Sequence, residues 1–435
     1  MTGAADRLGR LVAAGLGGPL PVRLRAWDGT QAGPPDGPVV VMRSRRALRR
    51  MLWQPGELGV AEAYIAGDLD VEGDLAAGLS LVGRAMRDRG PGPALPAPRV
   101  LASATLTALM LGAVGPRPPA PAAPKARLDG ALHSTSRDRA AISHHYDLSN
   151  DWYRALLDPS MAYSCAYWRA PGHPAYGLAD AQRDKLELIC RKLALAEGSR
   201  LLDVGCGWGS LSLYAAREFG ARVTAVTLSR KQRDHVAARV AAEGLEDRVD
   251  VSLRHYRDID ASGFDAACAI EMGEHVGDRE YPGFAALLHD RLRPRGRLLV
   301  QQMSRGATAP GGGAFIETYI APDMHMRPVG QTVDLLEAAG LEVRSVESLR
   351  EHYARTIDAW RRTLEDDWPR FTALAGEATA RVWRLYLAGA GLAFAERRMG
   401  VDQILAVRPD DAGGSGMPDT PWPWYAPDRE AVSGG

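Results

Sequence analysis

The stretch Leu201-Leu202-Asp203-Val204-Gly205-Cys206-Gly207-Trp208-Gly209-Ser210 decides how the rest of the chain is read. Its apolar start predicts a short buried strand. Glycines at alternate positions then let the backbone turn sharply and approach a ligand closely, before Leu211 to Phe219 resumes a helical pattern. The spacing is G-x-G-x-G rather than G-x-G-x-x-G, with an acid two residues before the first glycine. That points away from NAD and toward S-adenosylmethionine, whose sulfonium brings no pyrophosphate to a helix N-terminus. Asp203 suits either the methionine ammonium group or a loop amide.

Downstream of the loop, strands and helices alternate. Strands are predicted at Arg222 to Leu228, Val249 to Leu253, Phe264 to Ile270 and Arg297 to Gln302, with helices at Ser229 to Glu243 and Tyr281 to Leu292. The C-terminal part adds a helix at Gln331 to Ala339, a strand at Glu342 to Leu349, a helical stretch from Arg355 to Arg398 and a strand at Asp402 to Val407. This alternation predicts an α/β fold, a doubly wound, mostly parallel sheet with ligands outside the carboxyl ends of its strands. Residues 409–435, rich in Pro, Asp and Gly, read as a disordered tail.

Upstream, residues 1–90 read as a small α+β unit. Val22 to Trp27 and Val39 to Met42 are strand-like, Ser44 to Trp53 is a basic helix, and Gly67 to Gly73 is a turn-rich acidic segment. The helix carries Arg45, Arg46, Arg49 and Arg50, which make either a solvated face or a site for an anionic lipid. Residues 91–126 shift to Pro and Ala and read as a linker containing one apolar helix. The run Val100 to Val114 is too short for an unaided membrane span and suits a buried helix or one lying on a bilayer surface. The catalytic region is then residues 127–408.

Composition narrows the function. The chain has 435 residues, with 53 basic and 53 acidic side chains, so nucleic acid is not an expected partner. Four scattered cysteines, Cys165, Cys190, Cys206 and Cys268, lack metal-ligand spacing, and His144-His145 has no third ligand at a suitable distance; no metal is expected. Reduced thiols and the lack of a signal-peptide pattern at Met1 to Gly18 read as cytoplasmic. Three segments fall at the predicted strand ends. Thr227-Leu228-Ser229 with Gln232 suits a ribose and methionine tail, Tyr256 suits an adenine face, and Glu271-Met272-Gly273-Glu274-His275-Val276-Gly277 lies next to the reacting methyl.

Five motifs, in order, carry a resemblance: Tyr146-Asp147-Leu148-Ser149-Asn150-Asp151, Tyr163-Ser164-Cys165-Ala166-Tyr167-Trp168, Asp203 to Gly209, Gly273-Glu274-His275-Val276-Gly277 and His352-Tyr353-Ala354-Arg355-Thr356. From about Arg137 to Val407 the chain resembles the cyclopropane fatty acid synthase family, which includes the mycolic acid methyltransferases. Through Gly59 to Asp74, the first ninety residues resemble the N-terminal domain of its phospholipid-acting members. The resemblance implies a class I, Rossmann-like methyltransferase with a seven-stranded sheet. It implies methyl transfer from S-adenosylmethionine to a cis double bond of an unsaturated acyl phospholipid at the inner face of the membrane. Tyr146, Tyr163, Ser164, Asp203, Gly205, Cys206, Gly207, Thr227, Leu228, Gln232, Tyr256 and Arg257 would hold the cofactor. A bound bicarbonate would be the base, held by the backbone of Cys165, by Glu274, by the His275 amide, by a histidine, by an apolar residue and by Tyr353.

The chain departs from that pattern at Leu299-Val300-Gln301-Gln302-Met303, where Gln301 takes the histidine place and Met303 the apolar one. Glutamine donates an N–H to an anion but carries no charge. Loss of a proton from the transferred methyl closes a cyclopropane; a hydride shift before that loss gives a methylene branch, and both products stay open. A homo-oligomer and, for the methylene product, a reductase are the remaining partner expectations. An ordinary O- or N-methyltransferase is the other class, and it has no use for the Glu274, Cys165 and Tyr353 set.

Overall fold

The computed structural model describes residues 3–88, 98–126, 128–146, 148–306 and 313–425. It divides into two units. The first comprises Met1–Lys125, Gly312–Ile320 and Arg361–Leu392. Its sheet runs in the order β2-β1-β3-β4, built from Arg23–Arg25 (β1), Gln31–Ala32 (β2), Val39–Met42 (β3) and Leu69–Glu72 (β4). Asp28-Gly29 turns β1 into an antiparallel β2, whereas β1 and β3 pair in parallel. The acidic segment expected to be a turn supplies β4, because Val71 pairs with Val40 and Asp70 is neutralised by Arg43 (2.5 Å) and Arg381 (3.3 Å).

The expected linker is also part of this first unit. The helix Pro98–Met110 buries Ala108 completely, the following Ala113 is equally buried, and both join a core containing Leu8, Leu48 and Tyr64. Small residues on one side of a helix allow such close packing. The unit extends further: Ala388, from a helix expected to belong to the catalytic region, is in the same core, and the Arg381 guanidinium lies 5.2 Å from the Tyr64 ring centroid.

The second unit comprises Ala126–Gly311, Ala321–Trp360 and Ala393–Gly435. Its seven strands are Arg200–Val204 (β5), Arg222–Thr227 (β6), Val249–Leu253 (β7), Phe264–Ile270 (β8), Leu292–Ser304 (β9), Glu342–Ser348 (β10) and Gly400–Val407 (β11), in the order β10-β11-β9-β8-β5-β6-β7. Strands β5 to β9 are parallel, and β11 pairs antiparallel with both β9 and β10. The expected doubly wound fold is therefore present. Strand β5 lies between β8 and β6, and at such a switch point the connections leave toward opposite faces and open a crevice. The tail is ordered at least as far as Tyr425: Trp424 is 5% exposed and packs with Leu195 and Leu213, while Arg295 pairs with Asp410. An apolar aromatic after a polar stretch outweighed the Pro and Gly content.

Candidate active site

The cleft opens at the carboxyl ends of β5, β6 and β8 and holds about 1190 Å³ of free space, counted to its mouth. The glycine loop forms its floor. Gly205 has φ +82°, and a Cβ there would come within 2.7 Å of Met272 Cγ, so both conformation and contact require glycine. The amides of Gly205 and Cys206 donate to Val226 O at 3.0 and 3.1 Å, which ties the loop to β6.

Tyr163, Ser164, Asp203, Gly205, Cys206, Gly207, Thr227, Leu228, Gln232 and Tyr256 all line this cleft. Thr227 Oγ1 donates to Gln232 Oε1 at 2.8 Å, which commits the amide oxygen and leaves the Gln232 N–H groups for the cleft. Lys185 Nζ donates to Ser164 Oγ at 2.9 Å. An ammonium only donates, so the Ser164 hydroxyl must accept from it and aim its own proton elsewhere. A buried cation behind a donor hydroxyl suits the carboxylate of S-adenosylmethionine, and the residues present fit that molecule.

The Asp203 carboxylate, in the cleft wall, accepts from Ser212 Oγ at 2.6 Å and from Cys268 Sγ at 3.5 Å, which braces the helix after the loop. One expected cofactor residue is placed otherwise. Arg257 is exposed, with its guanidinium 5.2 Å from the Tyr256 ring centroid and outside the cleft lining. The side chain of Tyr146 and those of His144 and His145 lie outside the described residues.

At the inner end, three elements converge. The helix Arg350–Asp366 brings Tyr353 and Thr356; Thr356 Oγ1 accepts from Ala166 N at 3.1 Å and from Trp168 Nε1 at 3.0 Å, which fixes the 163–168 loop. Strand β9 brings Gln301. The third element is the end of β8, and there the decisive residue is Glu271. Its Oε1 accepts from Cys165 N at 2.7 Å and from Gln301 Nε2 at 2.9 Å, and its Oε2 accepts from Tyr353 OH at 2.6 Å. Gln301 cannot turn over, because its Oε1 accepts from Gln403 Nε2 at 2.9 Å while Gln403 Oε1 accepts from Lys192 Nζ at 2.8 Å. Glu271 also holds φ +51°, a left-handed conformation unusual outside glycine.

The expected bicarbonate cradle is thus occupied by a side chain. Cys165, Gln301 and Tyr353 do meet, but around Glu271, and the residues present do not fit a bicarbonate ion in that place. Glu274 lies behind, fully buried, with Oε1 accepting from Met303 N at 3.3 Å and Oε2 unpartnered. The His275 amide donates to Met272 O at 3.0 Å within its own turn, and the His275 ring lines the cleft with its pKa pushed down to about 4 by burial. Burial, then the neighbouring Glu271 charge, push Glu274 up to about 8. Burial also raises Glu271, but three hydrogen bonds and Lys185 oppose it. The three donated hydrogen bonds and the lysine favour the ionised form of Glu271, so Glu271 is the member of the pair that gives up its proton first, while Glu274 stays neutral at neutral pH. Burial raises the Cys165 thiol well above its ordinary value, so it is no thiolate nucleophile.

The pattern described as mycolic acid cyclopropane synthetase matches residues 133–404. The chain belongs to this family. Among similar proteins, the probable fatty acid methyltransferase Rv3720 of Mycobacterium tuberculosis is 37% identical over 412 residues, covering 93% of this chain and 95% of that one. The tuberculostearic acid methyltransferase UfaA1 of the same organism is 32% identical over 401 residues, covering 89% and 88%. A solved structure of mycolic acid cyclopropane synthase CmaA1 complexed with SAH and CTAB is 31% identical, with TM-score 0.58, covering 62% of this chain and 98% of that chain. This cyclopropane synthetase family member is an S-adenosylmethionine-dependent C-methyltransferase that methylates an unsaturated fatty acyl chain.

Sequence reasoning missed two residues of this site. Glu271 stood in the strand-end segment, but Glu274, three residues on, was expected to be the carboxylate that meets Cys165 and Tyr353. The signal was the glutamine in the histidine place: a neutral amide donor suits a carboxylate already held in position. Lys185 had no signal beyond its place on an amphipathic helix.

Proposed function

We propose that the protein methylates the cis double bond of an unsaturated acyl chain in a phospholipid, and that the Glu271 carboxylate, not bicarbonate, removes the proton that completes the product. One observation carries the reading: Cys165 N–H, Gln301 Nε2 and Tyr353 OH converge on a single carboxylate at the edge of the cleft. S-adenosylmethionine supplies a methyl carbon on a positive sulfur. An alkene is a weak nucleophile, so the cleft must hold the two in line and exclude water; such positioning is worth ~7 kcal/mol or more.

The π electrons of the double bond form the new carbon–carbon bond as the carbon–sulfur pair returns to sulfur, which leaves a carbocation on the chain. Tyr163, with Tyr153 at 5.7 Å and Trp360 at 5.2 Å between ring centroids, provides aromatic faces that stabilise a cation without capturing it. Glu271 then accepts a proton from the added methyl, and the freed pair closes a cyclopropane. If a hydride shifts first, the same proton loss gives a methylene branch. The full-length similarity to a relative named as a methyltransferase, not as a ring-forming synthase, favours keeping this second outcome. The acyl phospholipid would be met at the cytoplasmic face of the membrane.

The test is incubation of the purified protein with S-adenosylmethionine and phospholipid vesicles bearing monounsaturated chains. Chains heavier by one CH₂ are expected, and NMR then separates ring protons from vinylidene protons. No mass gain in any chain, with cofactor bound, would overturn the proposal.

A further inference from the structure

We propose that the first unit carries a membrane-docking foot made by the C-terminal half of the helix Pro98–Met110 and the end of the helix Arg45–Trp53, and that its partner is an anionic lipid surface. The proposal rests on the acyl-lipid reading above. Thirteen large apolar side chains are more than a third exposed among the described residues, and six of them fall here: Leu52, Trp53, Leu106, Leu109, Met110 and Val114. Single exposed apolar residues need no explanation, whereas a contiguous group marks an interaction surface.

The group is held together by specific bonds. Leu106, Leu109 and Met110 sit at i, i+3 and i+4, on one helix face. Trp53 Nε1 donates to Gly115 O at 2.9 Å, next to Val114, and Arg49 Nε donates to Ala113 O at 2.9 Å. The opposite face of the same helix buries Ala108 in the core, which anchors the helix and turns this face outward.

The rim identifies the partner. Arg7 Nη1 lies 3.2 Å from Met110 Sδ, Arg45 reaches Gly112, and exposed Arg117 donates to Gln54 at 3.3 Å. Arginine stems lie along apolar side chains while their heads reach phosphate level, and Trp53 at 55% exposure, bonded at its indole N–H, is suited to the same depth. Three arginines beside an exposed apolar group complement a bilayer with anionic headgroups, and a foot of this kind would place a phospholipid-modifying enzyme on its substrate. No helix among the described residues is long and apolar enough to cross a membrane.

The experiment is co-sedimentation of the full chain with phosphatidylcholine vesicles, with and without phosphatidylglycerol and without cofactor. Binding is expected to the anionic vesicles, weakened by salt. Leu109→Asp with Met110→Asp should lower partition by about tenfold or more, and Arg45→Glu by about fivefold; all three sites are exposed, so melting curves should not move. Leu106→Ser with Leu109→Ser is a milder second variant, expected to weaken binding in the same direction. Unchanged partition in these variants overturns the proposal. So does a wild-type dimer in sedimentation velocity that Leu109→Asp converts to monomer, because the face would then belong to a second copy. Methylation of micelle-dispersed lipid without vesicle binding would sink the foot alone, and vesicle binding without methylation would sink the function alone.

Discussion

Replacing Glu271 by Gln keeps the shape of the side chain and removes its charge and its basicity. The amide oxygen can still accept from Cys165 N and Gln301 Nε2, now at 2.7 and 2.9 Å, and the Tyr353 hydroxyl can rotate to accept from the new NH₂, so the fold should survive. A positioned general base contributes about 10²–10⁴-fold, or about 3–5 kcal/mol of barrier, and Glu271→Gln should lose turnover on that scale. Cofactor affinity, measured by calorimetry, should change little. Glu271→Gly goes further. It relieves φ +51° and opens the space between the same three donors. That variant should be inactive in carbonate-free buffer and regain part of its turnover with added bicarbonate or formate, while the wild type responds to neither. Release of S-adenosylhomocysteine from vesicle reactions is the readout. A wild type that needs bicarbonate, or a Glu271→Gln protein with near-normal turnover, would refute the assignment of the base.

Glu274→Gln should keep turnover within about tenfold, since its carboxyl is already neutral at work. The unfolded carboxyl ionises above 4.5 while the folded one keeps its proton to about 8, so rising pH destabilises the wild type across that window and spares the variant. The stability difference should grow with pH toward an upper bound of about 5 kcal/mol, read from denaturant midpoints; a pH-independent difference would mean Glu274 ionises when folded. Gln403→Leu frees Gln301 to turn and should cut turnover about tenfold or more with little change in cofactor KM; equal losses in both would point to general unfolding. Lys185→Met removes the cation behind Ser164 and beside Glu271, so it should raise cofactor KM about tenfold and move the acidic limb of the pH–rate profile upward by on the order of one unit. An unmoved limb would separate Lys185 from the base.

The glycine loop, the strand alternation and the meeting of three distant motifs were legible because each rests on local rules. Loop glycines answer to backbone conformation, strands to apolar pattern, and Cys165, Gln301 and Tyr353 to recognisable motifs. What sequence could not supply was the direction of a side chain at a strand end. Glu271 and Glu274 differ by three positions across a turn, and only the φ of Glu271 and the packing of Gly273 to His275 decide which carboxylate reaches the cleft. The unit boundary failed for a related reason. Residues 98–110 and 361–392 read as linker and catalytic helix because composition reports neighbours in sequence, whereas Ala108 and Ala388 find their partners through tertiary packing.

The charge inventory explains why a glutamine accompanies the tethered carboxylate. Lys185 faces Glu271 and Arg327 faces Glu274, and burial, then the Glu271 charge, already keeps Glu274 protonated. A diffusible anion would add a third negative centre where each carboxyl already has its own cation, at several kcal/mol even for partial desolvation. A histidine in place of Gln301 would compete for the proton that Glu271 is held to receive, whereas the amide, locked by Gln403 and Lys192, donates one N–H and has no proton to exchange. The tether, the neutral donor and the protonated neighbour are therefore one arrangement. A carboxylate on the chain needs no ion from solution, and a site built this way should turn over at the same rate whether or not carbonate is present.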